Sequence, residues 1–380
     1  MQKKIIALAV AGLASTAAFA QTNVTIYGVA DAAVVYTNTN GGPVGAVANG
    51  NGRDKFAIES GGLAGSRLGF KGTEDLGNGL KAVFVLEYAL ALDQNTGVGT
   101  GAATARQQYV GLSTKAGDVT LGRQYAPGYY IASMDALVTS PALSVVLAAQ
   151  TQTGASINGS TASRWNNAIN YKTPNFGGFT AQAIYSAGEN NNEVAMGESY
   201  GVGADYAAGP LAVKYIYQNT SSGTIGGTAA VQPTNGAALT TPLLNNGATQ
   251  EHYVGASFDL KVVKLMASAQ MQDRGNRANA NVVGSAPAAG GESQVYQIGA
   301  IVPVGKGNIH ASYAHADLNG QTRNTSGIGG QYDGVSVAYT HGLSKRTTLY
   351  TGLRYQDAKA VATTSGAVTT VFGAGVNHTF

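Results

Sequence analysis

Apolar and polar residues alternate along almost the whole of this chain, and the alternation runs to its last residue. In "VFGAGVNHTF", Phe372, Ala374, Val376, His378 and Phe380 share one parity, and Gly373, Gly375, Asn377 and Thr379 share the other. A period of two marks a strand whose two faces meet different surroundings. Chain ends are ordinarily frayed and polar, so a terminal strand that stays two-faced predicts a partner strand. The pattern recurs in "NVTIYGVADAAVVY", with Val24, Ile26, Ala30, Ala32, Val34 and Tyr36 on one face and Thr25, Tyr27 and Asp31 on the other. In "LAVKYIYQ", "GVSVAYTHGL" and "TLYTGLRYQ" the polar face carries Lys214, Gln218, Ser336, Thr340, Arg354 and Gln356.

What the apolar face meets is constrained by composition. The segment "MQKKIIALAVAGLASTAAFA" has a basic start, an apolar run and Ala18-Phe19-Ala20 before Gln21, so residues 1–20 are expected to be a cleaved secretory signal peptide. Losing Lys3 and Lys4 lowers the formal net charge from +3 to +1. Charged residues are 11% of the chain, well under half the ~25% of soluble proteins. Yet no stretch after residue 20 is apolar for the ~18 residues of a membrane helix. Gly (53) and Tyr (20) are abundant and Cys is absent, which rules out a disulfide scaffold. Near-neutral charge argues against a nucleic-acid partner. Composition leaves two all-β classes, a membrane barrel and a large secreted sandwich.

The connections separate them. Sixteen candidate strands lie near 23–36, 65–72, 79–90, 106–115, 118–125, 164–172, 178–187, 199–207, 210–219, 251–259, 262–272, 294–303, 306–317, 331–342, 346–357 and 369–380. Short links such as "AAGP" and "PVGKG" alternate with long ones at 37–64, 91–105, 126–163, 188–198, 220–250, 273–293, 318–330 and 358–368. Bacterial outer-membrane barrels sort their connections this way, with short periplasmic turns and long external loops. The expected fold is therefore a transmembrane antiparallel β-barrel of sixteen strands, residues 21–380 forming one domain. Its last strand should pair with its first and leave no free edge in lipid.

Several stretches resemble the general porins of Gram-negative bacteria, in their neisserial and burkholderial (beta-proteobacterial) branch. They are "VTIYGVADA", "GSRLGFKGTEDLGNGLKAVFVLE", "RQQYVGLSTKAGDVTLGRQY", "NAINYKTPNFGGF" and the terminal "VNHTF". The resemblance implies an outer-membrane homotrimer through which ions and small hydrophilic solutes diffuse, with the third external loop folded into the lumen. It also implies that Phe380 is a signal to the outer-membrane assembly machinery. Physics supports the inward loop independently. Sixteen strands ~4.8 Å apart and tilted ~40° close into a cylinder of roughly 16 Å radius, too wide for side chains to fill. The link 126–163 is long enough to cross it, and its apolar "LSVVLAA" is costly to leave hydrated.

Parity places Arg67 and Lys71 opposite Leu68 and Phe70, Arg164 opposite Trp165, and Glu87 opposite Leu86 and Tyr88, all facing the lumen. The resemblance adds Arg106 and Arg123 to Arg67, Lys71 and Arg164 as the basic side of a constriction; Glu87 and Asp135 are the expected acidic side. Parity disagrees for Arg106 and Arg123, which fall with Val110, Leu112 and Leu121. Either a bulge flips each face, or both lie outside the constriction; an Arg facing lipid near midplane costs ~2–4 kcal/mol, which favours bulges. An anion preference follows from the basic excess. A substrate-specific channel with an internal binding site is the alternative, distinguished by saturable block. No metal, cofactor or catalytic role is expected: His310 and His315 face opposite ways, and no G-x-S-x-G occurs.

Overall fold

The computed structural model describes residues 23–41, 53–95, 104–137, 140–188, 198–221, 248–274, 291–318, 330–360 and 366–380. The expected signal peptide and most of the long links lie outside the described residues. Seventeen strand segments run β1 (Asn23–Gly41), β2 (Arg53–Ser60), β3 (Arg67–Gly77), β4 (Leu80–Ala89), β5 (Ala105–Thr114), β6 (Gly117–Tyr125), β7 (Arg164–Lys172), β8 (Phe179–Ser186) and β9 (Ser199–Ala208). They continue as β10 (Leu211–Ser221), β11 (Ala248–Asp259), β12 (Lys264–Arg274), β13 (Gly291–Val304), β14 (Gly307–Leu318), β15 (Gly330–Gly342), β16 (Thr347–Ala360) and β17 (Ala367–Thr379). From β3 onward each strand pairs antiparallel with the next, and β17 pairs with β1 from Val29↔Thr379 to Gly41↔Ala367.

Seventeen segments make sixteen staves because β2 and β3 share one edge of β1. The upper half of β1 pairs with β2 (Ala32↔Ser60 to Thr39↔Arg53) and its lower half with β3 (Asn23↔Thr73 to Val29↔Arg67). The expected link at 37–64 is thus shorter, and the second stave begins at residue 53 rather than 65. Residues 61–66, "GGLAGS", interrupt it. Gly61 has φ +81° and its N–H donates to the Asp31 carbonyl at 2.8 Å. The buried Asp31 carboxylate accepts from the N–H groups of Leu63 and Ala64 at 3.3 and 3.0 Å, and from Tyr350 and Asn377 at 2.6 and 2.8 Å. A run of Gly and small residues reads as loop in sequence, which is why the stave above it escapes a pattern search.

The closed cylinder explains the alternation. Val24, Ile26, Val34 and Tyr36 of β1 and Phe372 and Val376 of β17 are exposed on the outer face, while Asp31, Ala33 and Val35 are buried on the inner one. The described helices are too short to cross a membrane, so strands do it. At the seam, Gly28 N–H donates to the Phe380 carbonyl at 3.0 Å and Phe380 N–H to the Gly28 carbonyl at 3.2 Å. A Cβ on Gly28 would lie 2.4 Å from the Phe380 ring and 2.6 Å from the Arg67 carbonyl oxygen, so only glycine fits beneath that ring.

Candidate functional site

The link between β6 and β7 runs along the inner wall. Pro127–Met134 forms a 3-10 turn, and Ile131 and Met134 pack with Ile157 against Ile216 and Tyr253. Leu137, Ala142 and Leu143 then reach Ala33, Val35, Ala338, Tyr350 and Val371 near the seam. Helix α1 (Val145–Thr153) starts at Ser144, whose hydroxyl caps the Leu147 N–H, and ends on Gly154 at φ +61°. Val145, Val146 and Ala149 of this helix pack on Val295, Ala314, Ala316 and Tyr332. The apolar "LSVVLAA" thereby leaves water by lining β13–β17. Helix α1 thus covers β13–β16 and not the wall from β3 to β7.

A bulge sits on that wall. The β4–β5 register steps from Glu87↔Gln107 to Tyr88↔Ala105, so Arg106 is the extra residue and turns off its parity. Its Nε donates to Glu87 Oε1 at 2.7 Å and its Nη2 to the hydroxyls of Tyr125 and Tyr129 at 3.0 and 2.7 Å. Those two rings stack with centroids 3.6 Å apart, and the Arg164 guanidinium lies 6.0 and 5.7 Å from their centres. Glu87 also accepts from Tyr125 at 2.6 Å and Tyr27 at 3.0 Å. Lys71 Nζ lies 5.3 Å from the centre of the Tyr27 ring, and Lys172 Nζ 5.7 Å from that of Tyr130. Arg67 is half-buried on the neighbouring strand β3, where it pairs in register with Ala89 of β4, two residues along from Glu87.

A second irregularity holds Arg123. Between Gly122↔Ala168 and Gln124↔Trp165, β6 carries one unpaired residue and β7 two. Arg123 spends its guanidinium on the carbonyls of Ala105 and Arg164 and on Asn166 Oδ1. It is not brought into the Glu87–Arg106–tyrosine cluster, so bulges exist at both arginines but only Arg106 joins it. Trp165 is fully buried against Ala126, Ala168 and Ile184, not on the outer face as parity placed it, because the same irregularity shifts β7. Arg164 nevertheless reaches the tyrosine pair.

The acidic side does not form as expected. Glu87 stands on the same wall as the arginines, ion-paired to Arg106, with both side chains 5% exposed. Asp135 is folded into the link itself, accepting from Leu137 N–H at 3.0 Å and from the Ser144 hydroxyl, and burial pushes its carboxyl above the usual range. Among the described residues Arg67, Lys71 and Arg164 have no carboxylate partner. Sequence reasoning also missed Glu251, buried on β11 and bound to the link at Ser156 and Ile157. The signal for it was faint: an inward acid whose register neighbours, Gln218 and Gln272, are both amides.

A sixteen-stave barrel with a link folded against its inner wall is a membrane channel's geometry, and comparison with known proteins supplies its lineage. A family model described as Gram-negative porin matches residues 7–361. The chain belongs to that family. The porin is 31% identical to outer membrane porin protein 32 of Delftia acidovorans, over 99% of this chain and 95% of the relative. It is 28% identical to an outer membrane porin of Bordetella pertussis over the full length of both, and 27% identical to the major outer membrane protein P.IB of Neisseria gonorrhoeae over 92% and 91%. Among solved structures, the anion-selective porin from Comamonas acidovorans superposes with a TM-score of 0.68 at 27% identity, over 94% of this chain and 100% of that one. The porin is an outer-membrane protein that crosses by many strands and forms a channel for ions and small hydrophilic solutes. Family and fold point to a channel rather than an enzyme.

Proposed function

We propose that this channel prefers anions and that the link 126–163 is its constriction. The observation that carries the reading is an imbalance. Arg67, Lys71, Arg106, Arg164 and Lys172 stand along one wall with Glu87 as their one ion-paired acid among the described residues, while the link's one Asp or Glu, Asp135, is buried. A passing ion meets the exposed Lys71 and Lys172 and the half-buried Arg67, with the buried Arg106 and Arg164 adding to the field behind them. The Comamonas neighbour's description as anion-selective agrees with this. We read the lumen as a passage with no reaction of its own. We further propose a homotrimer in lipid, with part of the outer apolar face (Phe56 and Ile58 are 74% and 64% exposed) covered by a neighbouring subunit. Phe380 serves as the assembly signal and residues 1–20 as the cleaved leader. The zero-current potential across a KCl gradient in a planar bilayer tests the selectivity: its sign should report chloride, and a potassium-selective wild type overturns the proposal.

A further inference from the structure

Glu251 lies on the inner face of β11 with no exposed surface. Its Oε1 accepts from Ser156 N–H at 2.7 Å and Gln272 Nε2 at 3.1 Å, and its Oε2 from Ile157 N–H at 2.9 Å and Gln270 Nε2 at 3.1 Å. All four neighbours are donors, and no cation is ion-paired to it among the described residues. A buried charge persists only where hydrogen bonds replace its water, and an ionised carboxylate is the side chain that offers acceptors and no donor. Two of the four donors are consecutive main-chain N–H groups, at the turn where the link leaves α1 and heads back to β7. Gln270 reinforces the joint by donating to the Ile157 carbonyl at 3.0 Å and accepting from Gln150 at 2.9 Å. Elsewhere the link is held by apolar packing and by single hydrogen bonds to the wall, such as Gly128 N–H to Gln218 Oε1, the Ser140 hydroxyl to the Gly62 carbonyl, Val145 N–H to the Ser336 hydroxyl and the Tyr332 hydroxyl to the Val145 carbonyl; at Glu251 one carboxylate takes two consecutive link N–H groups.

We propose that the Glu251 carboxylate sets the width of the passage by clamping residues 156–157 to β11 and β12. Being buried, it touches no solute; it is a positioning residue that decides how far the link stands off the basic wall. This rests on the reading of 126–163 as the constriction. The test uses full-length protein reconstituted in liposomes, with osmotic swelling in a graded series of neutral sugars, which ignore pore charge. Glu251→Gln keeps the shape but turns an amide NH2 against donors, so sugars near the wild-type exclusion limit should enter severalfold faster while small ones change little. Gln270→Met, which removes one wall donor, should widen the passage less. Wild-type swelling in a folded Glu251→Gln protein overturns the proposal. If Glu251→Gln does not fold, wild-type swelling of Gln270→Met overturns it instead. A third protein with residues 141–158 replaced by a short Gly-Ser linker separates the two readings. Wide entry there with none in Glu251→Gln refutes the clamp alone, and wild-type entry there refutes the constriction.

Discussion

Arg106 and Glu87 form a buried pair on the lumen wall, so their separate and joint removal yields three different channels. Arg106→Gln subtracts one positive charge and unmasks Glu87; Glu87→Gln does the reverse; the double variant leaves the wall's net charge unchanged. One unit charge ~6 Å from a passing ion is worth roughly 0.7 kcal/mol in bulk water, and about twice that if confinement halves the effective dielectric. At RT of ~0.6 kcal/mol, chloride permeability should fall about threefold to tenfold in Arg106→Gln, and the chloride-over-potassium ratio by about the square of that factor because potassium is relieved of an equal repulsion. It should rise by a similar factor in Glu87→Gln and return near wild type in the double variant. Leaving one partner of a buried pair uncompensated destabilises by ~3–5 kcal/mol, but Tyr27 and Tyr125 still donate to Glu87 and soften that cost. The measurement is the zero-current potential at low salt, repeated near 1 M, where a screening length of ~3 Å should shrink every difference. A double variant that behaves like Arg106→Gln would refute the reasoning, since the arginine would then act by shape and not by charge.

Arg123→Gln should change permeability ratios far less than Arg106→Gln, because its guanidinium is committed to the carbonyls of Ala105 and Arg164; an equal loss by the same recording places it in the constriction after all. Deleting Phe380 should lower the yield of heat-modifiable folded barrel on gels while leaving the conductance of the surviving channels unchanged, and equal yields contradict the seam's importance. Asp135, raised on folding by burial, adds stability that is full below its ordinary value of 3.8 and is lost as pH rises through its native value. Asp135→Asn should therefore flatten that fall in heat-dissociation temperature without altering ion preference, and parallel pH profiles count against it. Intact mass of outer-membrane material should place the mature start at Gln21, a retained leader being the contrary result.

The staves were legible wherever one face is lipid and the other water, because period two then has a physical cause in every residue. Legibility stopped where alternation stopped. At "GGLAGS" the chain leaves the wall to bind Asp31, a contact between residues some thirty positions apart that no local window contains. Arg106 was placed by resemblance and contradicted by parity, and the bulge reconciles them: one unpaired residue reverses every face beyond it. The same mechanism misled the reading of Trp165. Glu251 stayed hidden because an inward acid looks like any lumen carboxylate until the N–H groups of Ser156 and Ile157 are seen to point at it.

The seam between Gly28 and Phe380 has a consequence for the order of events in assembly. Neighbouring staves can pair as soon as both exist, but β1 and β17 come from opposite ends of the chain, and contacts so distant in sequence are slow to form. Until they meet, the sheet has two bare edges whose amides neither water nor lipid can satisfy inside a bilayer. An intermediate lacking the last strand therefore has no stable resting place in the membrane and every opportunity to pair with another open edge. Closure then acts as an inspection of the whole product: the carbonyl and N–H of the terminal phenylalanine are among the last groups to be satisfied, and a chain that lacks them remains exposed to aggregation and degradation.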